Sequence, residues 1–207
     1  MAGLLSNFRN TILLSLVFAG LMIFAFGRVS PASFGDVQFW QAVARWVHVA
    51  AGILWIGLLY YFNFVQIRVM PSIPAELKPA VGKHIAPEAL FWFRWAALAT
   101  VLAGLAVMYL RGVDYAHEVL SFGAWKGMVE GDQQYMLMGI GVWLAIIMFL
   151  NVWGIIWPNQ KRALGIVAVD DEKKARAAKT AMLASRTNLL LSLPMLTSMA
   201  MYQTLFG

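Results

Sequence analysis

The chain has no cysteine among its 207 residues. That absence excludes a disulfide framework, a thiolate metal centre and the covalent Cys-x-x-Cys-His attachment of a c-type haem. Any haem would have to be held without thioether links. Charge is scarce as well. Asp, Glu, Lys and Arg make up 13% of the residues, against about 25% in a soluble domain. There are only three histidines. No paired carboxylates fall inside an apolar stretch, and the chain has no phosphate loop, no zinc-protease motif and no Ser/His/Asp order at a strand turn. Apolar residues take the place of all this, at 61% of the chain with a mean hydropathy of +0.69.

Five stretches are long enough to cross a bilayer, which takes about 20 residues. They lie near 11–27, 43–65, 90–110, 135–157 and 189–206. The expected fold is all-α, a polytopic transmembrane helix bundle of about five spans in one domain from residue 1 to 207. The lipid bilayer is the first implied partner. The net charge of +6 is a topology signal and not a nucleic-acid footprint. Arg9, then Arg68, Lys78, Lys83 and Arg94, then Lys161, Arg162, Lys173, Lys174, Arg176, Lys179 and Arg186 fall on one side of a five-span chain. The other side carries only Arg28, Arg45, Arg111 and Lys126. The positive-inside rule then places the N-terminus in the cytoplasm and the C-terminus in the periplasm of a bacterial inner membrane.

The first span has no charge and reads as an anchor. Arg9, the apolar run and Val29-Ser30-Pro31-Ala32-Ser33 also match a signal-peptide layout, but the run exceeds the usual core of about 7–15 residues, so a retained helix is expected. Pro71, Pro74, Pro79 and Pro87 argue against one long helix between the second and third spans. Ala96, Thr100 and Gly104 give the third span a flat face for close packing. Gly139 and Gly141 do the same for the fourth, which contains Asn151 and is expected to stop at Pro158. The loop 111–133 is the most acidic segment, with Asp114, Glu118, Glu130 and Asp132. Asp170, Asp171 and Glu172 precede a Lys- and Ala-rich run. Acid first and base later complements a helix dipole, which predicts a cytoplasmic helix near 170–187 running into the last span, where Pro194 can introduce a kink.

The second span carries the candidate site. Gln41, Arg45, His48, Gly52, Trp55, Asn63 and Gln66 fall within roughly 40° of one line at about 100° per residue. Lipid offers such groups no hydrogen bonds, so they must face protein, a cofactor or water. His48 is the one histidine inside a span, and an imidazole there can ligate haem iron, move a proton or donate to a carbonyl. In the haem reading His48 is the metal ligand. Gly52 leaves room for a flat macrocycle, Trp55 stacks on it, and Arg45 pairs with a propionate. Arg94, among Phe91, Trp92, Phe93 and Trp95, is a further candidate for an anionic group. The structural alternative is a satisfied core histidine, a packing glycine, a snorkelling Arg45 and an interfacial Arg94 paired with Glu88. A second axial ligand would be methionine, a loop histidine or an open position. His84 and His117 lie in loops on opposite sides, so the three histidines do not share one metal site under this topology. Met136, Met138, Met195, Met199 and Met201 serve packing more often than ligation.

The segments WVHVAAGILWIGLLYYFNFVQ, HIAPEALFWFRWAALATVLAGL, MGIGVWLAIIMFLNVWGIIWPNQKRALGIV and AKTAMLASRTNLLLSLPMLTSM resemble the membrane domain of the bacterial cytochrome-c-linked urate oxidase (urate hydroxylase) family. The resemblance runs from about Trp40 to Met199. It implies an inner-membrane protein tied to respiratory electron transfer and to urate oxidation. The family's oxidases end in a cytochrome c domain, whereas this sequence ends at Gly207, so a separate cytochrome c is the expected acceptor. His48, Trp55 and Gly57 also look like the first histidine helix of small haem-binding membrane protoporphyrinogen oxidases and of copper-resistance membrane proteins. The lysine that ligates haem in those oxidases has no counterpart in the fourth span, so His48 alone carries over. Two expectations stand side by side: a haem b-binding redox protein, and a non-catalytic subunit of a larger respiratory or photosynthetic complex, as an oligomer or with other subunits. A purine transporter is disfavoured, because there is no inverted repeat.

Overall fold

Two of the helices begin at side-chain caps. Asn7 accepts a hydrogen bond from the Asn10 backbone N–H at 3.3 Å and opens α1, Phe8–Val29, which ends ahead of Pro31. Asp170 accepts from the Lys173 N–H at 2.8 Å and opens α6, Asp171–Leu205. Each side-chain oxygen satisfies a backbone donor that the first helical turn leaves free. The computed structural model describes residues 2–125 and 133–206. Lys126, Glu130 and Asp132 lie outside the described residues.

Between these ends run α2, Val37–Tyr60, α3, Ala86–Leu110, the short α4, Val113–Leu120, and α5, Gln133–Asn151. No strand occurs among the described residues. The architecture is the expected all-α transmembrane bundle. Four rods are long and apolar enough to cross a membrane: Phe8–Val29, Val37–Ser72, Lys78–Leu110 and Gln133–Ala163. The last expected span, residues 189–206, is the second half of α6, continuous with the helix expected near 170–187 and unbroken at Pro194. Its inward face is polar. Ser192 and Ser198 are buried, as is Asn188 just before the span, which lowers its hydropathy.

Proline acts differently from its expected role in the fourth span. Pro158 does not stop the rod. A π-helical turn at Val152–Ile156 precedes it, and the helix resumes over Trp157–Ala163 with Pro158 in its first turn. There the missing N–H costs little. Between the second and third spans the chain does leave the helix, after Met70–Ser72. The next rod starts at Lys78 with Pro79 in its first turn, and Pro87 lies within it, just after a π-helical stretch at Val81–Ile85.

Helices α2 and α3 pack most extensively, followed by α5 with α6. Trp55, Leu59, Phe62, Leu90, Phe93, Met148, Val152 and Ile156 form the core between them. Side-chain amides bridge the helices, as a membrane interior requires. The Asn151 Nδ2 donates to Asn188 Oδ1 at 2.7 Å and to the Ala184 carbonyl at 2.8 Å. Asn188 Nδ2 donates to the Met148 carbonyl at 3.0 Å. By contrast α1 is exposed along almost its whole length. It meets the bundle at Gly27, where an added Cβ would lie 2.6 Å from Phe39 and 2.7 Å from Phe34.

Candidate functional site: a cavity beside His48

A cavity of about 620 Å³ lies among α2, α3, α5 and α6. That is within the roughly 300–1,000 Å³ typical of small-molecule and cofactor sites. Arg45, His48, Gly52 and Trp55 all line it, so four of the five expected site residues come together. Arg94 does not line it. Its guanidinium lies 3.9 Å from the centroid of the Trp157 ring and 5.3 Å from that of Phe91. The expected Arg94–Glu88 pairing is not formed either. Glu88 Oε1 accepts from the Trp92 indole at 3.0 Å instead.

His48 is half-buried, with Nδ1 2.7 Å from the Thr100 carbonyl oxygen. A carbonyl can only accept, so Nδ1 carries a proton, and in the neutral ring Nε2 is the atom left free to accept or ligate. No hydrogen bond reaches Nε2 from the described residues. The glycine that makes room for the ring is Gly104. A Cβ there would lie 2.9 Å from both Nδ1 and Cε1 of His48. At Gly52 a Cβ would meet only the Thr100 methyl, at 3.7 Å. Gly52 therefore faces the cavity but is not what seats the imidazole. Thr100 is fixed in turn, its hydroxyl donating to the Ala96 carbonyl at 2.7 Å.

Trp55 is fully buried, and its indole N–H has no partner among the described residues. A buried donor without an acceptor is costly, and this one borders the cavity. At the other end stand two guanidiniums. Arg45 reaches Gln203 Oε1 at 3.4 Å. Arg111 donates to the hydroxyls of Tyr115 and Tyr202 at 3.3 and 3.4 Å, with its Cζ 4.6 Å from the Tyr115 ring centroid. Tyr115, on the short α4, donates to Tyr202 at 3.0 Å. Burial, and then the Tyr202 hydroxyl, push the Tyr115 phenol above its ordinary range. No Asp or Glu is among the lining residues, so this end favours an anion.

The rest of the polar stripe is spent on structure. Gln41 donates to the Leu110 carbonyl at 2.7 Å. Asn63 donates to the Leu59 carbonyl and to Ser185 Oγ, both at 2.9 Å. Gln66 closes a π-helical segment, Tyr61–Gln66, where the wider turn breaks the register that a helical wheel assumes, and its buried side-chain oxygen has no partner among the described residues. His84 is exposed, and the His117 ring lies against Trp125 with centroids 4.6 Å apart.

The chemistry open to the cavity follows from its donors. Among the described residues no three His, Cys, Asp or Glu side chains cluster to hold a metal ion. One imidazole can hold a metal here only if the metal arrives with its other ligands, as in a macrocycle. A bare Nε2, an unpaired indole N–H and two arginines at one end fit a flat group bearing acidic substituents. Sequence reasoning missed Arg111, Thr100 and Gly104. The Ala96–Thr100–Gly104 spacing signalled a close helix approach, but not that His48 would fill it. Comparison with known proteins returned no matching family model, no matching curated protein and no matching solved structure.

Proposed function

We propose that the chain is a redox protein of a bacterial inner membrane, related to the membrane domain of the cytochrome-c-linked urate oxidase family, and that it holds haem b through His48. The observation that carries this reading is the 2.7 Å bond from His48 Nδ1 to the Thr100 carbonyl. Metal-ligating histidines donate their other ring N–H in this way, which fixes the tautomer and raises the basicity of the ligating nitrogen. Haem iron supplies a reversible one-electron change. The chain's own residues do the rest. His48 binds, Gly104 and Thr100 orient the ring, and Gly52 and Trp55 bound the pocket. Arg45 and Arg111 would pair with the propionates of a bound haem, a charge-assisted pairing that suits guanidinium. With the N-terminus cytoplasmic, that arginine end faces the periplasm, where a separate cytochrome c or another complex subunit would be the acceptor.

The test is a reduced-minus-oxidised absorption spectrum of the purified protein, before and after reconstitution with hemin. The expected result is a b-type spectrum in wild type that is lost in His48→Ala. A colourless, folded wild-type protein, or an unchanged spectrum in His48→Ala, overturns the proposal.

A second reading rests on α1, which is exposed along almost its whole length. A helix of this kind suits packing against other subunits, and the chain would then be a non-catalytic member of a respiratory or photosynthetic complex. Migration at large mass on a native gel, with no chromophore in the isolated chain, favours this alternative.

A further inference from the structure

We infer that Met199 is the second axial ligand, on the opposite wall from His48; this rests on the haem reading above. Three cross-bonds set the register of α2 against α6. Arg45 meets Gln203, Tyr60 meets Ser192 at 3.3 Å, and Asn63 meets Ser185. Numbers rise along one helix as they fall along the other, so the two run antiparallel. His48 lies about one turn inward of Arg45, and Met199 about one turn inward of Gln203. Both line the same cavity, which puts an imidazole and a thioether at one depth on facing helices.

The remaining lining groups do not compete. The Tyr60 and Tyr115 hydroxyls are bonded to Ser192 and Tyr202, and the Thr100 hydroxyl to Ala96. Met195 is buried in the core a turn deeper, near Trp55. Met108 also lines the cavity but is buried in a separate cluster with Ala116 and Val119, and Met138 packs against that cluster, whereas Met199 is partly buried at the edge of the main core. Gly141 gives Met199 its seat. A Cβ at 141 would lie 3.3 Å from the Met199 methyl and 2.6 Å from Ser198 Oγ, so a larger residue would force α6 away from α5. A soft, neutral thioether opposite a histidine is an established haem ligand pair and raises the reduction potential relative to two imidazoles.

The experiment uses the full chain loaded with hemin and reads spin state by electron paramagnetic resonance and absorption. The expected wild type is low-spin in both oxidation states, with a far-red sulfur-to-iron band and no carbon monoxide adduct on brief exposure. Met199→Leu keeps volume and apolarity, and is expected to retain haem while becoming high-spin, losing the far-red band and binding carbon monoxide. Met199→His restores the low-spin state without that band. Met195→Leu and Met138→Leu match wild type. A Met199→Leu protein with the wild-type low-spin spectrum, or a wild type already five-coordinate, overturns the assignment while leaving His48 ligation intact. A wild type that takes up no haem overturns both.

Discussion

The imidazole of His48 lies where a methyl group on Gly104 would be, with its Nδ1 and Cε1 2.9 Å from that position. The absence of one side chain on α3 therefore decides where the only histidine on α2 can go. It also brings Nδ1 to the neighbouring Thr100 carbonyl, which leaves Nε2 for the cavity.

Gly104→Ala should displace the ring and break the Thr100 bond. Overpacking of this kind costs about 1–3 kcal/mol, and haem retention should fall with it. Gly52→Ala meets ordinary contact at 3.7 Å and should leave both unchanged. Thermal unfolding in detergent and haem content per protein check the pair. Equal effects at the two glycines would refute the assigned role of Gly104.

Arg45→Gln and Arg111→Gln should each weaken retention of a carboxylate-bearing ligand about tenfold, the equivalent of about 1.4 kcal/mol for a charge-assisted bond. Arg94→Gln should not, because Arg94 is stacked on Trp157 outside the cavity. Competition for hemin by a soluble haem acceptor measures this. Repeating it with the dimethyl ester should abolish the difference between the variants and wild type.

Asn188→Leu should destabilise the bundle. It leaves the Asn151 amide without its 2.7 Å acceptor and removes the bond to the Met148 carbonyl. Interhelical bonds in membranes are worth about 0.6 kcal/mol on average and up to about 1.7. The double variant Asn151→Leu/Asn188→Leu should recover part of the loss, since neither amide is then stranded. Unfolding in mixed micelles gives the values.

Acid should fray the start of α6. Hydrogen bonds from the Lys173 side chain and then its backbone hold the Asp170 carboxyl below its ordinary value of 3.8. The folded pKa is thus the lower one. Its stabilising contribution is present above the unfolded pKa and is lost as pH falls through the folded value. The protection factors of the Lys173 and Lys174 amides, taken against intrinsic exchange at each pH, should fall at acid pH in wild type, while Asp170→Asn, which keeps the capping oxygen, should show no such fall.

The membrane class and the helical content were legible from composition and from apolar runs, because hydrocarbon admits only backbones that satisfy their own hydrogen bonds. The polar stripe on α2 was legible for the same reason, since polar groups among apolar neighbours must turn inward. Past Tyr60 the stripe still led Asn63 inward to Ser185 on α6, but the spacing of an ordinary wheel no longer applies there. The wheel assumes 3.6 residues per turn, and the segment Tyr61–Gln66 is π-helical. Pro158 likewise marked a stop that the preceding π turn removed. Nothing local in the sequence distinguishes such a wide turn from an ordinary one.

By itself, then, the sequence determined that this chain is a bundle of apolar helices, and that Arg45, His48, Gly52 and Trp55 share one inward face of α2, because both follow from periodicity and solvation along a single segment. Only the tertiary structure decided what meets that face. Gly104 seats the imidazole and Thr100 sets its tautomer. Arg111 joins Arg45, Met199 stands across the cavity, and Arg94 is left on Trp157. These depend on how far apart in sequence the partners lie and on the register between helices, and neither has a signature within any one helix.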